Sequence, residues 1–253
     1  MSPSPQRLVG AGPTKIIAIH GWMGDHHLFD PFFDAIDPVR FTCAVFDCRG
    51  YGERRGEAGE MTVEAMARDT TALADALGWQ KFHCLGHSMG GMATQRLMVD
   101  SPNRLLSAIL VASVPASGAK ISGERRALLF GAIAEPAARR RLIDINTGGK
   151  LDAEVLDRIL AVSLAGTEGA ALRAYMASWT GTDFAAEAKG CEVPVLVIVG
   201  ARDPGATRTA AVNSMLPLYP KAVLVEIADS GHYPMQEAPQ ALASIIASYL
   251  AGG

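Results

Sequence analysis

The sequence predicts an α/β protein: a mostly parallel central sheet with helices on both faces, interrupted by an inserted helical segment. Three observations predict it. Short apolar runs alternate with helix-period segments up to about residue 115 and again from about residue 190. The runs are apolar at consecutive positions, as in parallel strands buried on both faces. Between the two blocks the pattern is helical, with no convincing strand.

Taken in order, residues 15–19 and 41–46 read as strands. Residues 62–77 read as a helix, with Thr62 as N-cap, Glu64 in the first turn and Gly78 as the stop. Residues 81–85 are a third strand, 89–99 the helix after it, and 105–111 a fourth strand. The helices of the insertion are expected at 125–133, 151–164 and 169–179. Strand (194–199), helix (207–216), strand (222–227) and helix (239–250) then close the chain. This gives a sheet core of residues 1–115 and 190–253 and a helical insertion of residues 116–189. The insertion should sit over the C-terminal edge of the strands, where open α/β sheets bind ligands.

Composition narrows the function. Hydrophobic residues make up 49% of the 253 positions and charged residues 19%, a globular balance. The net charge of −3 offers no basic face for nucleic acid. Arg139, Arg140 and Arg141 form the only tight basic run, which reads as a solvated helix face. Cys43, Cys48, Cys84 and Cys191 show no Cys-x-x-Cys spacing; Cys43 and Cys84 read as small buried hydrophobes. Residues 1–12 lack an apolar core of signal-peptide type, and no segment has the apolar length of a membrane span. The expectation is a cytoplasmic protein with free thiols, acting on a small molecule without nucleic-acid or membrane partners. The sequence carries no sign of oligomeric state.

One motif carries chemistry. Gly86-His87-Ser88-Met89-Gly90 lies between a strand and a helix. A serine hydroxyl needs a base to remove its proton, and it must project from a turn so tight that flanking side chains would clash. Asp203 and His232 each follow a predicted strand, so they leave the sheet at the same edge as Ser88. The chain order is Ser, Asp, His. In this reading His232 is base and then acid, and Asp203 fixes its tautomer. The N–H of Met89 and the N–H of Trp22, in the loop His20-Gly21-Trp22-Met23-Gly24, are the candidate oxyanion donors.

These blocks, with Asp47-Cys48-Arg49-Gly50-Tyr51-Gly52 and Gly91, resemble the α/β-hydrolase fold superfamily, in its serine-nucleophile branch with a helical cap. The resemblance covers nearly the whole chain outside the insertion. It implies that residues 116–189 form the cap and that Asp47–Gly52 is a structural loop. An aspartate-nucleophile chemistry is disfavoured, because Ser88 holds that position.

Two competing motifs are set aside. Gly50-Tyr51-Gly52-Glu53-Arg54-Arg55-Gly56 places its third glycine one position late for a dinucleotide loop. Asp25-His26-His27 has no second His/Asp cluster to complete a metal site. The expected activity is therefore metal- and cofactor-independent cleavage of a small to medium, hydrophobic carboxylic ester. Amide, carbamate, lactone or carbon–carbon hydrolysis and perhydrolysis use the same machinery. A ligand-binding protein on a hydrolase scaffold is a further alternative. Phe130, Met176 and Trp179 are the candidates for the substrate pocket.

Overall fold

The computed structural model describes residues 3–252. Seven strands form one sheet in the order β1-β3-β2-β4-β5-β6-β7. They are β1 (Arg7–Val9), β2 (Thr14–Ile19), β3 (Phe41–Phe46), β4 (Phe82–His87), β5 (Leu105–Val111), β6 (Val195–Gly200) and β7 (Ala222–Ile227). Every pairing is parallel except β1 with β3. Five of the six apolar runs became interior strands, and every residue of β3 and β6 is buried; the sixth, β7, lies at an edge with only Ile227 buried. The three-residue edge strand β1 escaped the sequence reading, being too short to carry a period.

The strand order reverses between β2 and β4. From β2 the chain steps outward to β3, then returns across β2 to start β4 and continues the other way. The loops leaving β2 and β4 therefore diverge and open a crevice at the strands' C-terminal ends. Those loops carry Trp22 and Ser88.

The helices are α1 (Asp30–Ala35), α2 (Val63–Ala76), α3 (Met89–Asp100), α4 (Gly123–Ala134), α5 (Pro136–Asn146), α6 (Ala153–Gly166), α7 (Gly169–Gly181), α8 (Ala185–Ala188), α9 (Arg208–Ser214), α10 (Pro234–Glu237) and α11 (Pro239–Ala251). Thr62 caps α2 through its hydroxyl, and Gly78 follows in a left-handed conformation at φ 69°. Five helices, α4 to α8, occupy the chain between β5 and β6. Among the described residues no helix is long and apolar enough to cross a membrane.

The basic run is not a uniformly solvated face, which corrects the sequence reading. Arg140 and Arg141 are exposed, but Arg139 is buried in α5. Its guanidinium donates to the Ala132 and Ser163 carbonyls and to the Thr167 hydroxyl, at 2.8, 3.1 and 2.8 Å. One planar cation thus ties the end of α4 to α6 and the turn after it. It also explains why α5 was missed: an arginine stands where the helical period calls for an apolar residue. Cys43 and Cys84 are fully buried in β3 and β4, and burial pushes both thiols up to about 12.

Candidate active site

Ser88 sits between β4 and α3 with φ 53° and ψ −113°, a conformation that costs a non-glycine residue of order 1–3 kcal/mol. The surroundings hold it there. Its N–H donates to the Val111 carbonyl at 2.9 Å, and its own carbonyl accepts from Gly91, Met92 and Val114. Two glycines make the turn sterically feasible. A Cβ on Gly86 would lie 2.2 Å from the Gly90 carbonyl oxygen, and one on Gly90 would lie 2.3 Å from that of Ile19. Both obstacles are backbone and cannot swing aside.

Three elements distant in sequence meet at the hydroxyl. His232, in the loop after β7, places Nε2 3.0 Å from Ser88 Oγ. Its Nδ1 lies 2.5 Å from Asp203 Oδ2, in the loop after β6. The other Asp203 oxygen accepts from the N–H groups of Gly205 and Ala206 at 2.8 and 3.1 Å. Burial alone would raise the Asp203 carboxyl. The charge and hydrogen bond of His232, with the two backbone donors, outweigh it and hold the group below its ordinary value.

The His232 loop is braced from three sides that the sequence did not reveal. Glu237 accepts from the N–H groups of Gly231 and Tyr233, each at 2.7 Å, so one carboxylate straddles the histidine. Pro234 and Glu237, read as a helix start, were the available signal. The His232 N–H donates to the Asn146 carbonyl at the end of α5, at 3.0 Å. His87 Nε2 lies 2.7 Å from the His232 carbonyl oxygen, an acceptor, so this nitrogen carries the proton.

Burial, reinforced by the neighbouring His232, pushes His87 down to about 3. An unfolded histidine titrates near 6.5. Between these values the unfolded chain binds a proton that the native ring refuses, so stability falls as the pH drops below about 6.5. We expect the urea-unfolding free energy of His87→Phe to lose about 2 kcal/mol less than wild type between pH 7 and pH 5. An identical pH difference in the two proteins would reject a buried neutral His87.

The candidate oxyanion donors flank the serine. Neither the Trp22 N–H nor the Met89 N–H has an acceptor among the described residues. The Trp22 loop is anchored at both faces: Tyr51 Oη donates to the Trp22 carbonyl at 2.8 Å, and the indole N–H to the Leu172 carbonyl at 2.7 Å. Asp47 is occupied structurally, accepting from the N–H groups of His26 and Glu53 and pairing with the His26 ring.

A cavity of about 520 Å³ opens above Ser88. Of the three pocket candidates, Trp179 lines it, against Trp22 in an edge-on contact. The other two are corrections. Phe130 is 44% exposed on the outer side of α4, and Met176 is buried among the helices; neither belongs to the wall. Leu129 and Leu142 take those places. A one-residue difference on a helix turns a side chain by about 100°, and only the packing of α4 against α5 fixes which residue faces inward.

Asp25, His26 and His27 bring potential metal-ligand atoms within 4.8 Å of one another. Each also has a partner in the protein: Asp25 accepts from the His27 N–H, His26 pairs with Asp47, and His27 pairs with Asp30.

The sequence matches the alpha/beta hydrolase family over residues 16–245, and the chain belongs to that family; it is an enzyme of the hydrolase class. The dihydrolipoyllysine-residue acetyltransferase component of an acetoin cleaving system from Cupriavidus necator is 28% identical over 96% of this chain, which spans 65% of that relative's length. The pimeloyl-(acyl-carrier protein) methyl ester esterase of Yersinia enterocolitica is also 28% identical, covering 96% of this chain and 95% of its own. Among solved structures, olei00960, a hydrolase from Oleispira antarctica, superposes with a TM-score of 0.87 at 15% identity, covering 98% of this chain and 94% of that one. A likeness at that identity speaks for the fold.

Proposed function

We propose that this enzyme cleaves a carboxylic ester through an acyl-enzyme formed on Ser88. The observation that carries the reading is the unbroken hydrogen-bonded series from Asp203 through His232 to Ser88 Oγ, at 2.5 and 3.0 Å, on the floor of a cavity. In this mechanism Ser88 Oγ attacks the carbonyl carbon while His232 Nε2 takes the hydroxyl proton. Asp203 stabilises the resulting imidazolium. The Trp22 and Met89 N–H groups meet the negative charge that develops on the carbonyl oxygen. His232 then protonates the leaving alcohol. A water molecule, deprotonated by the same nitrogen, attacks the acyl carbon and frees Ser88.

The apolar walls and the 520 Å³ volume suit a small to medium hydrophobic group. Residues 116–189 serve as the cap that supplies Leu129, Leu142 and Trp179 to those walls. The Yersinia relative is by name an ester hydrolase, which supports the bond type. The test is a panel of ester, thioester, amide and lactone substrates, run beside labelling with a fluorophosphonate. We expect esters to turn over fastest and the label to map to Ser88. Turnover without labelling at Ser88 would remove the acyl-enzyme. A label at Ser88 with lactones or amides far ahead of esters would keep the nucleophile and change the bond.

A further inference from the structure

The cavity above Ser88 is apolar along Ile121, Leu129, Leu142 and Trp179, yet two cations, Lys120 and Arg125, stand in its wall. Among the described residues the only carboxylate in the wall is Asp203, and both its oxygens are committed, one to His232 and one to the Gly205 and Ala206 N–H groups. Arg125 is half-buried in the first turn of α4. Its one side-chain hydrogen bond runs from Nη2 to the neutral Asn146 Oδ1, at 2.7 Å. Among the described residues, no carboxylate lies within ion-pairing distance of Arg125 or Lys120. Arg49 and Arg54 reach Asp69, and Arg96 reaches Asp100 and Glu187. Arg139 has no carboxylate, but two carbonyls and a hydroxyl satisfy its guanidinium where Arg125 has a single neutral acceptor. A cation withdrawn from water without a counter-charge is unfavourable until an anion arrives. A guanidinium with one N–H used still presents a planar edge that matches a carboxylate, and Lys120 adds charge at the exposed rim.

We infer that the enzyme's substrate is an ester bearing a carboxylate on an apolar spacer, held by Arg125 while the scissile carbonyl lies at Ser88. This rests on the ester-hydrolase reading and adds its specificity. A single forked cation with one rim lysine matches a monoanion better than a dianionic phosphate, which demands more charge. Arg125 also touches Asn146, whose carbonyl holds the His232 N–H, so its loss disturbs the base as well as the anion. A ratio of two substrates cancels that shared effect.

The test compares para-nitrophenyl hydrogen adipate with the ester of the isosteric acid carrying an isopropyl group in place of the carboxylate. A second pair places the same two groups on the alcohol side of an acetate ester. The expected ratio of kcat/KM, anionic over neutral, is at least about ten in one pair. It should fall about 10- to 100-fold in Arg125→Gln, the worth of a charge-assisted hydrogen bond, with Arg125→Lys in between. In wild type the ratio should also shrink with added salt. A ratio at or below one in both pairs, or one that neither Arg125→Gln nor salt lowers, overturns the inference while Ser88-dependent hydrolysis keeps the parent reading. Hydrolysis of neither pair, with no covalent labelling of Ser88, overturns both.

Discussion

Ser88→Ala is expected to lower kcat for an activated ester by about a million-fold, the scale of removing a serine nucleophile from a triad. The variant separates chemistry from structure. Alanine pays the same backbone cost at φ 53°, and the bonds that hold this turn, through the N–H and carbonyl of residue 88, are untouched. What disappears is Oγ and its one side-chain contact, to His232 at 3.0 Å. The thermal midpoint should therefore move by no more than a few degrees, since about 1 kcal/mol shifts a domain of this size by roughly 2–4 °C. Unchanged turnover in a folded Ser88→Ala protein would end the acyl-enzyme reading.

Asp203→Asn should cost about 10⁴-fold in kcat, and the geometry says why. Two backbone donors, Gly205 and Ala206, point at Oδ1. An asparagine must present its carbonyl oxygen to them, which turns its amide nitrogen toward His232 Nδ1. A donor there forces Nδ1 to accept, so the ring proton moves to Nε2, the nitrogen that faces Ser88. His232 then has no lone pair for the serine proton. Kinetics of Asp203→Asn beside a thermal unfolding curve checks this. A loss smaller than about tenfold in a folded variant would deny Asp203 its orienting role.

How much of this was legible depends on the range of the signal. The Gly86–Gly90 turn is local: its steric demands fall on five adjacent residues, and any serine there must project. Asp203 and His232 were legible because each closely follows an apolar run, and parallel strands deliver such positions to one edge. Asn146, Glu237 and His87 were not assigned their bracing roles, because each acts through a contact whose partner is set by packing. Asn146 and His232 are distant in sequence and are joined by a backbone carbonyl, which leaves no trace in side-chain identity. Arg139 is the reverse case, a charged residue whose burial depends on finding two carbonyls and a hydroxyl on neighbouring elements.

The sequence by itself marked six of the seven strands, the helical stretch between the fourth and fifth of them, and the chain order Ser88–Asp203–His232. Strand burial, tight-turn sterics and strand direction are properties of short segments, and they repeat wherever those segments occur. The tertiary structure decided which wall residues face the cavity, that Leu129 and not its neighbour Phe130 points inward, and that Arg125 stands there without a carboxylate partner among the described residues. Those outcomes turn on how four helices pack against one another and against the strand ends. A rotation of one helix by a single residue would change every one of them and leave the strand pattern as it is.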